Sequence, residues 1–531
     1  MFLTLPQNKL KTAMSNYKGD WQKVEFSITS KGGNIGFVEG NERIKLNLET
    51  CPVDFIEHLM RYGKLTESQR ALIISETGIG VEQMGLDHII TAPVDLFNVV
   101  ASLGRSRRNV EMRLCGRYYP ITLCAEYKVD EDHQGRSIKR CTMYARVNMG
   151  GDVHSLLWTV NDLDFRGVDG TLEWSALQLF ERFGLRPLTM DLHEYDARVE
   201  SAQLLMSETG RLMDCTGYAM VVHETQYYGT SRNPLEFGSP ETPKKVIVDA
   251  KLETKDPRNE YGGALGSKLV PDLLPFVRVF HMEMKRWGYV DECELEYHEY
   301  DPYVINKLVL PAEMQAMVHG LFSTATSNLF GDVLKEKHGG LIMLANGPSG
   351  VGKTLTAEVF AEVSHRPLYV LEMVELGVEV KSVEEALTRI FTRVTRWNAV
   401  LLMDECDVFL SARGTDLVQN VMVGIFLRLM DYYRGLLFLT SNRAEVIDKA
   451  FKSRITLQLD YPELDLKARG QVWQIMLTEA GLPVPKATIQ KMAQHELNGR
   501  QIRNLVRLMK AIHGTKITLP QMELIVNFAC K

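Results

Sequence analysis

The chain has 531 residues, of which 45% are hydrophobic and 24% charged, with a net charge of −6. Those proportions fit about three or four ordinary globular domains and exclude a basic nucleic-acid coat. No apolar run approaches the roughly 18–20 residues that span a bilayer, and the start, "MFLTLPQNKLKTAMSN", lacks the long apolar core of a secretory leader.

The eight cysteines (51, 115, 124, 141, 215, 293, 406 and 530) are scattered and form no CxxC pair. Zinc knuckles are therefore unsupported, and single thiols fit a reducing cytoplasm. The N-terminal stretch "KVEFSITSKGGNIGFVEGNERIKLNL" alternates in short runs broken by Gly and Asn, which predicts hairpins. "VDFIEHLMRYGKLTESQRALII" has helical spacing. "NVEMRLCGRYYPITLCAEYKV" returns to strand-like composition. After "NDLDFRGVDG" a second module is expected, opening with helical "WSALQLFERFG". "LLPFVRVFHMEMKRWGYVDE" predicts a strand pair, and "EYHEYDPYVINKLVLP" an extended connector.

From Pro311 the pattern changes. Apolar strands alternate with amphipathic helices: "LIMLA", "PLYVLE", "AVLLM" and "GLLFL" are the strands. This predicts a parallel sheet covered on both faces. From about Asp465 the chain reads as all-helical. The expected division is 1–165 and 166–310 for two mixed α+β, strand-rich modules, 311–464 for the α/β unit, and 465–531 for a helical lid.

"GPSGVGKT" matches GxxxxGK[ST] between a strand and a helix. Its glycines let backbone N–H groups line an anion nest, and the helix N-terminus adds positive potential. Gly347, Pro348, Ser349, Gly350, Val351, Gly352, Lys353, Thr354 and Leu355 form the candidate phosphate cradle. Lys353 is placed to reach the β- and γ-phosphates of ATP, and Thr354 to hold Mg²⁺. Asp404 and Glu405 follow the strand "AVLLM". Two carboxylates after a buried strand are costly unless partnered. Asp404 suits the magnesium side, and Glu405 suits activation of a water.

Asn442 lies just past "GLLFL". A neutral amide there suits the γ-phosphate or the attacking water, although Asn at a strand end is also a common turn residue. Arg454, in "DKAFKSRI", offers permanent planar charge, and taken alone it reads as a surface ion-pair residue. In "NGRQIRNLVRLMKAI", Arg500, Arg503, Arg507 and Lys510 form a basic stripe opposite Ile502, Leu505, Val506 and Met509. From Asp465 to Lys531 there are ten Lys/Arg and four Asp/Glu, a net of +6, which leaves −12 for the rest. Simple solvation is the alternative reading of that stripe.

In this order the five elements resemble an AAA+ ATPase module over about Leu310 to the C-terminus. "DECDVFL", "FLTSNR", "AFKSRI", "DYPELD" and "NGRQIRN" are similar to a poorly characterised branch with long N-terminal regions. The resemblance implies a sheet of order 5-1-4-3-2, ATP and Mg as ligands, and a homo-oligomer, expected to be a hexamer. It implies a Walker A loop at Gly347–Thr354, Walker B carboxylates at Asp404 and Glu405, and sensor 1 at Asn442. Arg454 matches the arginine finger given to a neighbouring subunit. Arg500 matches the sensor 2 arginine, with Arg503 as rival. One departure stands out. Members that thread peptides carry an aromatic–hydrophobic–glycine trio after the second strand, whereas "LEMVELGVEVKSVEE" has Gly377 and no aromatic near it. Met373 and Leu376 are the residues left to grip, or simply to pack.

The expected function is a cytoplasmic ATP-hydrolysing motor that remodels or disassembles a protein target chosen by the N-terminal region. The alternatives are a nucleic-acid-directed loader or genome-handling factor and an ATP-dependent assembly scaffold. The acidic body disfavours nucleic acid, and no membrane partner is expected. "HEYD", at 193–196 and 298–301, lacks a metal-binding frame and reads as ordinary surface chemistry. "GRSRRNVEMRLCGR" reads as a solvated face.

Overall fold

The computed structural model describes residues 2–6, 10, 17, 26–28, 43–48, 51–66, 69–70, 72–73, 84–103, 107–131, 137–161, 164, 166–167, 170–171, 174–221, 234–251, 270–326, 340–377, 379–407, 417–442 and 449–529. Near the N-terminus, helix α1 (Val53–Tyr62) buries Phe55, Ile56 and Leu59, one turn apart, in a cluster with Leu5 and Leu46. A second core runs from Ile90 to Val199 and takes in Phe276 and Tyr289 from far along the chain. Its meander is β1 (Cys124–Glu131), β2 (Ser137–Met149) and β3 (Asp152–Asn161), antiparallel throughout. Strand Leu185–Pro187 pairs with Val110–Leu114, and Asp272–Leu273 runs parallel to β2. The division expected at residue 165 therefore cuts through one hydrophobic core. The described residues at that point include the short antiparallel pair Arg166–Gly167 and Gly170–Thr171, and the chain beyond it returns to the same core.

A seven-stranded antiparallel sheet follows. It comprises β4 (Leu212–Cys215), β5 (Tyr218–Val221), β6 (Leu235–Glu236), β7 (Lys244–Val248), β8 (Phe276–His281), β9 (Arg286–Asp291) and β10 (Leu295–Tyr297). The order is β6-β5-β9-β8-β7-β4-β10. The β8–β9 hairpin is the strand pair expected in "FVRVFHMEMKRWGYVD", with Phe280 opposite Trp287.

The C-terminal sheet holds β11 (Leu341–Asn346), β12 (Leu368–Leu371), β13 (Val400–Met403), β14 (Leu436–Ser441) and β15 (Leu457–Asp460). All pairs are parallel and the order is β12-β13-β14-β11-β15. Numbered within the module and read from the other edge, this is 5-1-4-3-2, the expected α/β arrangement. Along β11, Ile342 and Leu344 face one core while Met343 and Ala345 face the other. A strand covered on both sides must be apolar at every position, which is why "LIMLA" shows no alternation. Helix α2 (Lys353–Val363) covers one face. Helices α3 (Val380–Arg396) and α4 (Leu417–Tyr432) cover the other. Beyond β15, α5 (Leu466–Glu479), α6 (Lys486–Ala493), α7 (Gly499–His513) and α8 (Leu519–Ala529) close around Trp473, Ile502 and Met509.

The antiparallel sheet is seated on the parallel module through a shared core. Phe280 and Trp287 join Tyr369 and Trp397 in one aromatic group, with ring centroids 5.0–6.3 Å apart. The Arg393 guanidinium lies 4.4 Å from the Phe280 centroid. Asp249, fully buried, accepts from Arg396 Nε at 2.9 Å and from the Trp397 indole at 2.7 Å. A buried carboxylate is tolerated only with such partners. Lys285 donates to the Val370 carbonyl at 2.7 Å and lies over the Tyr369 ring. The Tyr369 hydroxyl in turn donates to Glu375 at 2.5 Å. Leu376 is buried in this core, so it packs, and the Met373 side chain is outside the described ones.

His298, in the connector, bonds Asp214 of β4 at 2.8 Å and Glu362 of α2 at 3.3 Å. The "HEYD" copy at 298 is thus part of an interdomain pairing. Among the described residues no cluster of three or more His, Cys, Asp or Glu could hold a metal ion. In the arginine-rich stretch, Arg108 pairs with Asp196 and Arg117 with Glu294, while Arg105 lies outside the described residues. Among the described residues no helix is long and apolar enough to cross a membrane.

Candidate nucleotide site

In an open parallel sheet the loops after the strand C-termini line one crevice, and ligands collect there. Here the loop after β11, the turn after β13 and the end of β14 meet at that edge. The Gly347–Thr354 loop turns through positive φ at Gly347 (144°), Gly350 (78°) and Gly352 (106°). At Gly347 a Cβ would also stand 2.3 Å from the Tyr461 carbonyl oxygen. At Gly350 it would stand 2.7 Å from the Asn498 side chain, the N-cap of α7, and the Gly499 N–H donates to the Gly350 carbonyl at 2.8 Å. The N-terminus of α7 therefore touches the loop by its backbone, and only glycine permits the approach.

Lys353 opens α2 and is 7% exposed. Its ammonium donates to the carbonyls of Gly347 (2.7 Å) and Pro348 (2.6 Å) and to Asn442 Oδ1 (2.8 Å). Burial pushes its pKa down, while Asp404, Asp407 and Glu405 push it back up. The Thr354 hydroxyl donates to Asp404 at 3.1 and 3.2 Å. A hydroxyl and a carboxylate so close are hard oxygen donors of the kind Mg²⁺ accepts, usually with few protein ligands and several waters. The residues present fit that ion.

Ser349 to Leu355, Asp404, Glu405, Asn442, Arg500 and Arg503 line one cleft of about 210 Å³. Gly347 and Pro348 are not in the lining, and their carbonyls accept from the Lys353 ammonium. Arg500 and Arg503 both face the cleft, one turn apart on α7, and the geometry does not choose between them. Arg454 is not in the lining. It forms a two-pronged ion pair with Asp431 of α4, at 2.6 and 2.8 Å, and also donates to the Ala450 carbonyl.

Three features were not legible in the sequence. Val309, Leu310, Val351, Leu464, Val472, Ile475 and Met476 give the cleft an apolar wall, drawn from the connector, the loop, the segment before α5 and α5 itself. Such a wall suits the flat face of a base. Asp407 accepts from Ser441 Oγ (2.6 Å) and from the Asn442 N–H (3.4 Å), fixing the end of β14. The Thr440 hydroxyl donates to Asp404 Oδ1 at 2.5 Å and accepts the Glu405 N–H at 2.8 Å. An acidic residue three places after Asp404 was a visible signal for the second. The other two depend on folding.

The parallel sheet of this order, its glycine loop and the paired carboxylates define a P-loop nucleotide-binding module. Residues 343–463 match the ATPase family associated with various cellular activities (AAA), so the chain carries an AAA ATPase domain. Among solved structures, the chain is similar to one in the E. coli MS115-1 HORMA:CdnC:Trip13 complex, at 16% identity and a TM-score of 0.36. That match covers 44% of this chain and 92% of the other. No curated protein matches the chain.

Proposed function

We propose that the protein hydrolyses ATP to ADP and phosphate with Mg²⁺, in a homohexameric ring, and uses the energy to remodel a protein target selected by the region before residue 310. The observation that carries the reading is the convergence of Lys353, Thr354, Asp404, Glu405 and Asn442 on one cleft with an apolar wall. In this reading the loop N–H groups and Lys353 hold the β- and γ-phosphates. Glu405 takes a proton from the attacking water, and Asn442 orients that water. Magnesium, when bound, neutralises phosphate charge. Arg500 or Arg503 reports the γ-phosphate to the lid, and Arg454 serves the neighbouring protomer's site. Residues 311–464 form the nucleotide-binding unit and 465–531 the lid. The location is the cytoplasm.

The test is the Glu405→Gln variant. It should bind ATP as the wild type does and lose about 10²–10⁴ in turnover. Unchanged turnover would reject Glu405 as the base. The same variant, loaded with ATP, separates the targets. A captured protein that also stimulates wild-type hydrolysis supports remodelling. Salt-dependent DNA or RNA binding with stimulation by nucleic acid replaces it with the loader reading. Turnover unaffected by any partner favours the scaffold.

A further inference from the structure

Strands β13 and β14 run side by side in parallel, and their last paired residues are Met403 and Leu439. One step further, Asp404 leaves the sheet, while Thr440 stays in β14, paired with Ala345 of β11. Thr440 is 1% exposed, and a hydroxyl so buried must be bonded. A hydroxyl has one proton and two lone pairs. Its proton goes to Asp404 Oδ1 at 2.5 Å, so its oxygen accepts the Glu405 N–H at 2.8 Å. The Thr440 carbonyl accepts the next amide, that of Cys406, at 3.0 Å. One residue of the neighbouring strand therefore anchors both amides that follow Asp404.

Those anchors fix a strained turn. Glu405 has φ +52°, a left-handed conformation that few non-glycine residues adopt unless the surroundings impose it. Asp404 meanwhile receives two threonine hydroxyls, Thr354 from the phosphate-loop helix and Thr440 from β14. The same Thr440 oxygen joins the carboxylate on the metal side to the backbone of the glutamate.

We propose that Thr440 is a positioning residue for hydrolysis. Its hydroxyl fixes the Asp404 carboxylate and holds Glu405 in the left-handed turn that aims it at the attacking water. This rests on the ATPase reading above. The sequence hides the role because a threonine ending an apolar strand reads as ordinary β-propensity. The β-branched shape suits the strand, and only the hydroxyl does the positioning.

Thr440→Val keeps the shape and removes the hydroxyl, and Thr440→Ser keeps the hydroxyl. The expected result for valine is a fall in kcat of about 10- to 100-fold, the worth of hydrogen bonds to charged groups. The affinity for a fluorescent ATP analogue should stay within about threefold. Serine should restore kcat to within about threefold of wild type. In a Glu405→Gln background, Thr440→Val should cost clearly less than it does alone, because the part that acts through Glu405 is already lost. A merely structural threonine would lower binding and turnover together and would add its full cost to Glu405→Gln. If the valine protein does not fold, Thr440→Ala is read against Thr440→Ser by the same criteria. Wild-type turnover with an equally active valine variant overturns the role of Thr440 alone. A folded wild type that binds ATP and Mg²⁺ without turnover overturns the ATPase reading, and this proposal with it.

Discussion

The two sheets of this molecule are built on opposite rules. In the five-stranded parallel sheet every strand points the same way, so the loops after β11, β13 and β14 open on one edge. Chemistry placed there is local in sequence: each loop follows its own strand by a residue or two. In the seven-stranded antiparallel sheet the strand ends alternate, and hairpin neighbours such as β8 and β9 lie beside strands from further along the chain. Strand β4 lies between β7 and β10, whose residues are 244–248 and 295–297. The first sheet gathers reactive groups. The second gathers apolar surface and spends it on the seam with Tyr369 and Trp397. The lesson is that direction of strands, more than content, decides which region is a site and which is a support.

Arg454 offers the largest test of that contrast, because it lies on the parallel module but outside its cleft. Arg454→Ala should leave ATP binding intact and lower turnover by about 10³–10⁵. Asp431→Ala breaks the same ion pair from the other side and should leave turnover within about tenfold of wild type. Equal losses in both variants would make the pair structural and end the arginine's catalytic assignment. Steady-state hydrolysis at several protein concentrations reads both.

The supporting sheet is tested next. Asp249→Ala leaves Arg396 and the Trp397 indole without their buried acceptor. We expect about 3 kcal/mol of lost stability, the low end for breaking a buried pair, seen as an earlier urea transition. An unchanged transition would mean that the aromatic packing alone holds the seam.

The smallest effect is a pH dependence. Its bond to His298 and to the Asp301 N–H overcomes the burial that would raise the Glu362 pKa, and holds it at about 2, below the ordinary 4.5. Because the folded value is depressed, this stabilisation is full above about 4.5 and fades as pH falls towards 2. His298 is raised, chiefly by the bond to Glu362, against burial that lowers it. Its share is full below about 6.5 and is lost as pH climbs through the folded value. The clamp is therefore firmest between roughly pH 4.5 and 6.5. His298→Gln should flatten that profile by about 1 kcal/mol, measured by denaturant unfolding across pH.

How much was legible follows the same division. The glycine loop, Lys353, Thr354, Asp404, Glu405 and Asn442 were readable because each requirement sits within a few residues of an apolar strand. The sheet order came from the family resemblance that those motifs carry. Thr440 and the apolar wall were not readable, since their meaning depends on a strand or lid helix that folding brings alongside. The boundary at 165 misled because a loop-rich composition looks the same within a core as between two. Arg454's partner, 23 positions away on α4, has no sequence signature.

Lys307 of the connector pairs with Glu479 at the end of α5, at 2.7 Å. The next residues of the connector, Leu308 to Leu310, line the nucleotide cleft. Asp249 and the aromatic seam fasten the antiparallel sheet to the parallel core. The connector thus ties the end of α5 and the wall of the cleft to the antiparallel sheet, whose own seam is fixed on the parallel core.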